Sequence, residues 1–398
     1  MKAIENRARG SAGQHQGAAI KMGWPTKTLG DVCAFDKAQG VHRGLPYVGL
    51  EHIESHTARF IGSSEAQPVK SSTFRFSVEH VLYGRLRPYL NKALAPDFDG
   101  HCSTEIFPLK PSTELSREYL LFWLLADETC ERINATCTGA RMPRAQMNHV
   151  LGFEIPIPPL AEQQRIVGLL AEAFEGLATA KANAEKNLQN ARALFESHLQ
   201  SVFTQRGPGW IEATLGEIGK ISMCKRIFKD ETAANGDIPF YKIGTFGKKP
   251  DAFIPRRIYE EYKSKHPFPK EGSVLISAAG TIGRRVRYDG EPAYFQDSNI
   301  VWVENDECLV LNDFVYHFYG ACDWNSTDGA TISRLYNDDL RRMVIAFPKS
   351  MQDQRRVIAQ LDALAGNTRR LARFYERKVA TLEVLKKSVL HQAFAGNI

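Results

Sequence analysis

In "SAAGTIGRRVRYDG" (277–290), Arg284, Arg285 and Arg287 follow the turn Gly280-Thr281-Ile282-Gly283. A tight turn of this kind is expected to present its arginines outward, and a guanidinium fork matches guanine edges or phosphate oxygens. A solvated strand end with local ion pairs is the plainer alternative. The matching stretch of the first half, "VLYGRLRPYLNKA" (81–93), supplies Arg85, Arg87 and Asn91 beside Tyr83 and Tyr89. A second loop also occurs twice, as "TGARMPR" from Thr138 and "DGATISR" from Asp328. It offers Arg141, Arg144, Thr331 and Arg334, either to DNA or to a structural turn. Lys248-Lys249 and Arg256-Arg257 suit phosphate contacts or plain surface.

Patterns for bond-breaking chemistry are weaker. Pro250-Asp251 followed by Glu261-Tyr262-Lys263 fits the loose carboxylate–carboxylate–lysine arrangement that holds a metal beside a scissile phosphate. With 45 acidic residues in the chain, such a match arises easily by accident. "GTFGKKP" (244–250) lacks the spacing and the hydroxyl of a phosphate-binding loop. The eleven histidines are scattered, with no metal-binding or nucleophile–base spacing. The seven cysteines form no C-x-x-C pair, which argues against a zinc site or a disulfide framework and suits a reduced, cytoplasmic setting.

The elements that carry these residues repeat. "WPTKTLGDV" from Trp24 matches "WIEATLGEI" from Trp210, and "LPYVGL" from Leu45 matches "IPFYKIG" from Ile238. "EQQRIVGLL" from Glu162 matches "DQRRVIAQL" from Asp353, and the same offset still holds where Leu199 and Phe203 meet Leu390 and Phe394. Each half begins with short apolar runs punctuated by Gly, Pro, Asn and Asp, read as strands and tight turns with a few short helices. Each ends in a long amphipathic stretch. In the second, Leu361, Leu364, Thr368, Leu371, Tyr375, Lys378, Leu382, Leu385 and Val389 make a heptad seam. The first offers Leu170, Ala173, Leu177, Ala180, Ala184, Asn187, Ala191 and Leu194, whose small side chains allow a close partner. Two helices of equal length suit mutual antiparallel packing, although each could instead lie on its own domain. The expected fold is mixed α+β: two similar α/β domains separated by two long antiparallel coiled-coil helices, with an internal pseudo-two-fold repeat. The expected boundaries are a disordered tail at 1–23, domains at 24–157 and 206–347, and long helices at 158–205 and 348–398.

The net charge is +6, but the domains carry little of it. Residues 24–159 hold 14 basic and 15 acidic side chains, and 206–348 hold 19 and 20. A nucleic-acid surface must therefore be a cluster on one face. No apolar run is long enough to cross a membrane, and the N-terminus lacks the apolar core of a signal peptide.

Together, "IPIPPLAEQQRIVGLL", "SVLHQAFAGNI", "AAGTIGRRV" and "WPTKTLGDV" resemble the specificity subunit of type I restriction–modification systems. The resemblance covers nearly the whole chain, from about Trp24 to Ile398. It implies a non-catalytic subunit whose two target-recognition domains each read one half of a bipartite double-stranded DNA site. The helices would set the gap and dock two methyltransferase subunits, with restriction–translocase subunits joining them. Leu170, Leu177, Leu194, Leu361, Leu371, Leu382 and Leu385 are the expected helix-pair and docking residues. S-adenosylmethionine, ATP and magnesium would sit on the partners, and this chain would bind no cofactor. A specificity subunit serving a fused methyltransferase–nuclease, or a two-headed protein-binding scaffold, are the rival readings.

Overall fold

A computed structural model describes residues 23–66, 69–139, 141–324 and 334–398. Of the tail expected at 1–23 only Gly23 is described, and Thr331 also lies outside the described residues. The chain divides into two units, one made of residues up to Ala184 together with Arg377–Ile398, the other of Glu185–Glu376.

The first unit opens on β1 (Thr26–Thr28), the helical turn α1 (Leu29–Val32) and β2 (Cys33–Phe35). Short strands β3 (Gln39–Gly40), β4 (Tyr47–Val48) and β5 (Thr73–Phe76) precede β6 (Val81–Gly84) and β7 (Ala93–Leu94). Then come β8 (Gly100–Cys102), β9 (Ile106–Pro111), α2 (Arg117–Leu125), α3 (Asp127–Ala135), α4 (Met147–Leu151) and β10 (Glu154–Pro156). An antiparallel sheet in the order β2-β9-β6-β7 is covered on both faces. Side chains alternate along a strand, so one residue set faces each layer. Val81, Tyr83, Phe107 and Leu109 pack with Tyr119, Leu120, Trp123 and Leu124 of α2. Leu82, Leu94 and Ile106 pack instead with Val48, Phe76 and Cys102 of the second sheet, β3-β5-β8-β4.

The long helix α5 (Leu160–Gln205) follows. The second unit then repeats the plan. It runs β11 (Trp210–Thr214), α6 (Leu215–Ile218), β12 (Gly219–Ser222), β13 (Ile238–Tyr241), β14 (Phe253–Ile254) and α7 (Arg256–Lys265). It continues through β15 (Val274–Ser277), β16 (Arg285–Arg287), β17 (Tyr294–Phe295), β18 (Ile300–Asn305), α8 (Asn312–Ala321), α9 (Asn337–Arg342) and β19 (Val344–Pro348) to the second long helix, α10 (Met351–Phe394). The central sheet β12-β18-β15-β16 matches β2-β9-β6-β7, and the ribbon β11–β19 matches β1–β10. A parallel pair recurs as well, Tyr47 opposite His101 in the first unit and Phe240 opposite Tyr294 in the second. The outer sheets diverge: β8 adds the antiparallel β5, whereas β13 adds β14 on its other edge.

Each unit is closed by the beginning of one long helix and the end of the other. In the first, Ile166 and Leu170 of α5 join Leu390 and Ala393 of α10 in the core, and Phe394 meets Tyr119 edge-on at 5.2 Å. In the second, Ile358 of α10 lies in the core and Phe203 of α5 meets Phe314 at 5.4 Å. Within the first unit the helices run antiparallel, Arg165 donating to the Ile398 carbonyl (2.7 Å) while Lys181 pairs with Glu383.

Most of the expected seam of α10 lies inward, but Leu371, Lys378 and Leu385 face outward and the next residues, Ala372, Val379 and Lys386, take their places. The buried and half-buried stripe of α10 runs through Leu361, Ala365, Thr368, Ala372, Tyr375, Val379, Leu382, Lys386 and Val389 to Ala393. Leu371 and Leu385 are 42% and 46% exposed, and Leu194 of α5 is 53% exposed while Phe195 takes the inward place. Two interleaved sets both satisfy the 3-4 spacing, and the one rich in small residues lies inward, where it permits close approach to the alanine-rich face of α5. Leu170 and Leu361 are buried, and Leu177 and Leu382 half-buried.

Candidate nucleic-acid interface

The turn between β15 and β16 is built by glycines and a serine. Gly280 and Gly283 have φ of +65° and +83°, a region open to glycine, and a Cβ on Gly283 would collide with the Trp324 indole. The Ser277 hydroxyl donates to the Thr281 carbonyl (2.6 Å) and accepts from the Arg284 N–H (2.9 Å), closing the loop. Arg284 donates to the Phe246 carbonyl (3.0 Å), which brings it beside the exposed Lys248–Lys249 segment.

Arg285 and Arg287 do not point outward, contrary to the sequence expectation. Two residues apart on β16, they share the face that packs on α8, and Val286 takes the opposite face. Arg285 lies over the Tyr316 ring (4.7 Å to the centroid) in space left by Gly320, and its burial pulls its pKa down. Arg287 stacks on the same ring (3.7 Å), donates to Asp313 (2.5 Å) and faces Asp362 of α10 at 3.6 Å. These two arginines fasten α8 and the start of α10 to the sheet.

In the first unit the corresponding segment turns through Arg87, whose φ is +50° and whose N–H donates to the Pro143 carbonyl (2.8 Å). Its side chain is exposed beside Tyr89. Asn91 corrects the sequence reading. It is fully buried with φ +41°, and its amide donates to the Leu125 carbonyl at the end of α2 (2.9 Å), so it holds the core and cannot reach a ligand.

The second repeated loop lies against the first. Arg144 forms a bridge opposite Leu86, and Arg334 forms the matching bridge opposite Ala279. Arg144 is clamped by Glu105, with Nε at 3.0 Å from both carboxylate oxygens and Nη2 at 2.9 Å. That hydrogen-bonded pair raises its pKa further. Arg85 sits 4.0 Å from the same carboxylate and over the Phe107 ring (5.3 Å), and Arg141 is exposed. Among the described residues Arg334 has no such clamp: it reaches the Ser298 carbonyl (3.3 Å) and lies 6.0 Å from the Tyr336 ring.

Arg334 opens into a polar groove of about 550 Å³ in the second unit, lined also by Arg226, Phe228, Lys229, Lys242, Gln296, Asp297 and Asn299. Four basic residues and one carboxylate, Asp297, line it; Asp297 pairs with Arg226 (2.8 Å), and Lys242 pairs with Asp251 from outside the lining (2.9 Å). Phe228 is 57% exposed on its wall. This near-neutral domain thus places four of its basic residues around one groove. Arg226, Lys229, Lys242, Glu105 and Asn299 were not singled out from sequence, since they come from four separate loops. Only "CKRIFKDE" (224–231) carried a visible signal, its basic residues flanking an aromatic.

The nuclease-like trio does not assemble. Asp251 pairs with Lys242 (2.9 Å), Glu261 with Lys265 (3.0 Å), and Lys263 lies over the Tyr259 and Phe268 rings. Among the described residues no three His, Cys, Asp or Glu side chains are placed to hold a metal, and no helix is long and apolar enough to cross a membrane.

The family model of the type I restriction modification DNA specificity domain matches twice, over residues 21–187 and 208–373. The chain belongs to that family. Each copy of the specificity domain spans one globular domain plus most or half of its long helix, as the repeat requires. A relative in Haemophilus influenzae, named as type I restriction enzyme specificity subunit S.HindORF215P, is 44% identical over 227 residues, covering 56% of this chain and 58% of that protein. The EcoDI specificity subunit of Escherichia coli is 26% identical over 201 residues, covering 48% of this chain and 44% of its own length. The chain thus matches about half the length of these curated relatives. Among solved structures, a chain from a study of complex assembly and conformational transition in a type I R-M system superposes with a TM-score of 0.79. It is 22% identical and covers 94% of this chain and 98% of that one. The HsdS subunit from Thermoanaerobacter tengcongensis gives 0.64 at 22% identity, over 94% and 97%. At that identity the two structures establish a common fold: mixed α and β domains, duplicated, with long paired helices.

Proposed function

We propose that this chain is the non-catalytic specificity subunit of a type I restriction–modification enzyme, in which each globular domain reads one half of a split double-stranded DNA site. The observation that carries the proposal is the duplicated specificity domain, with a cation-lined groove in the second copy and the exposed Arg87 and Arg141 on the matching loops of the first. The long helices set the unspecified gap and dock two methyltransferase subunits, offering Leu194, Leu371 and Leu385 on their outer faces. Restriction–translocase subunits complete the assembly. S-adenosylmethionine, ATP and magnesium belong to those partners, and the assembly works in the cytoplasm, where its DNA is.

On this reading, Arg87, Arg141, Lys248, Lys249, Arg284 and Arg334 are the remaining DNA-contact candidates. Arg85 and Arg144 act through the Glu105 clamp, and Arg285 and Arg287 position α8. The test is selection from a random duplex library by the chain purified with its methyltransferase. Enrichment of two short blocks at a fixed separation, with retention that falls steeply as salt rises, supports the reading. A stable complex that retains no DNA would point to the protein-binding scaffold instead.

A further inference from the structure

The two domains share one backbone frame at the mouth of the candidate interface and carry different chemistry on it. In the first, the Arg85 N–H donates to the Glu105 carbonyl (2.8 Å), and the Arg85 carbonyl accepts from Ala145 (2.9 Å). In the second, the Ala278 N–H donates to the Asn299 carbonyl (2.8 Å), and the Ala278 carbonyl accepts from Leu335 (2.8 Å). Asn299 therefore stands where Glu105 stands, Ala278 where Arg85 stands, and Arg334 where Arg144 stands. The side chains on this common frame are Arg, Glu and Arg in one domain and Ala, Asn and Arg in the other.

The substitution changes what the position can bind. Glu105 is engaged: Arg144 grips both of its oxygens and Arg85 faces it. With asparagine in place of the carboxylate at this position, Arg334 turns to the Ser298 carbonyl. The Asn299 carboxamide, half-buried in the groove wall, has no hydrogen-bond partner among the described residues. The neighbouring amide has its acceptor committed, since Gln296 Oε1 accepts from the Ile243 N–H (2.9 Å). Among the described residues, then, the Asn299 carboxamide keeps donor and acceptor side by side without a partner, in a groove lined by Arg226, Lys229, Lys242 and Arg334. That pair is complementary to N7 and the N6 amino group on the major-groove edge of adenine. The surrounding cations suit the flanking phosphates, which position a duplex without reading it.

We propose that Asn299 is a specificity-determining residue of the second domain and reads an adenine through its carboxamide. The inference rests on the DNA-reading function proposed above. The experiment repeats the library selection with the full assembly carrying Asn299→Ala or Asn299→Asp. For Asn299→Ala, one adenine position in a single block should become unspecified. Affinity for the parent site should fall roughly five- to 150-fold, the other block staying intact. Asn299→Asp keeps the shape, guarding against simple loss of folding, and replaces the donor by an acceptor; that position should shift toward cytosine, whose N4 donates. Unchanged motifs for both variants would overturn the proposal. So would an equal loss of affinity for every sequence, the mark of a phosphate contact. A wild-type selection without a split motif would instead defeat the underlying DNA-reading function.

Discussion

Arg87 and Asn91 lie four residues apart on one turn and do opposite work. Asn91→Ala removes the donor to the Leu125 carbonyl from a fully buried site and should cost about 1–3 kcal/mol of unfolding free energy, with any sequence preference unchanged. Arg87→Ala should leave stability within about 0.5 kcal/mol and weaken DNA binding by the assembly. Denaturant titration and equilibrium binding on each variant separate the two. A second residue-scale expectation concerns His317, buried with Nε2 at 3.0 Å from Asp362 and with Arg285 and Arg287 nearby. Burial holds its pKa below the ordinary 6.5. As pH falls through that value the unfolded chain takes up a proton that the folded one still refuses, so stability is full above it and declines below it. His317→Gln can keep a donor toward Asp362 without titrating, and its melting temperature should change less between about pH 7 and pH 5 than that of the parent. At this scale the sequence was a partial guide. The arginines after the glycine turn were visible, but their direction was not. It depends on strand alternation and on Tyr316 and Asp313 across the layer, neither of which spacing reveals.

At the scale of elements, the start of each long helix is locked by a glutamine. Gln163 donates to the Glu114 and Pro158 carbonyls (both 2.9 Å) and accepts from the Ser116 N–H (2.8 Å). Gln354 donates to the Leu309 and Pro348 carbonyls (both 2.9 Å) and accepts from the Leu311 N–H (2.9 Å). Both are fully buried, and each ties its helix to the strand before it and to the entry of α2 or α8. This is the physical content of the repeated "EQ" and "DQ". Gln163→Ala or Gln354→Ala strands three backbone groups and should cost about 3 kcal/mol, measured by denaturant unfolding. The heptad seam was legible at Leu361, Thr368, Tyr375, Leu382 and Val389 but not at the positions between them, because Leu371 or Ala372 fits the 3-4 spacing equally well and packing against the facing helix chooses between them. Leu390→Ala, on the buried side, should cost about 2–4 kcal/mol, whereas Leu385→Ala should cost less than about 1 kcal/mol. If Leu385 docks a methyltransferase, Leu385→Asp should weaken assembly while the isolated chain melts as before.

For the whole molecule, duplication was the most legible property, since a constant offset over two long helices survives the divergence of the loops between them. Less legible was how each unit is closed. One takes the start of α5 with the end of α10, the other the end of α5 with the start of α10, so residues as distant in sequence as Leu170 and Leu390, or Phe203 and Ile358, complete one core. Near-neutral domain totals likewise hid a groove whose cations come from separate loops. The central claim is that two domains of one architecture read two different short sequences. Its most direct test is a genome-wide map of methyladenine in cells that lack adenine methylation and express this chain with its methyltransferase. The account predicts a split motif, two defined blocks flanking a fixed unspecified gap. A single continuous motif, or no methylation from a stable complex, would contradict it.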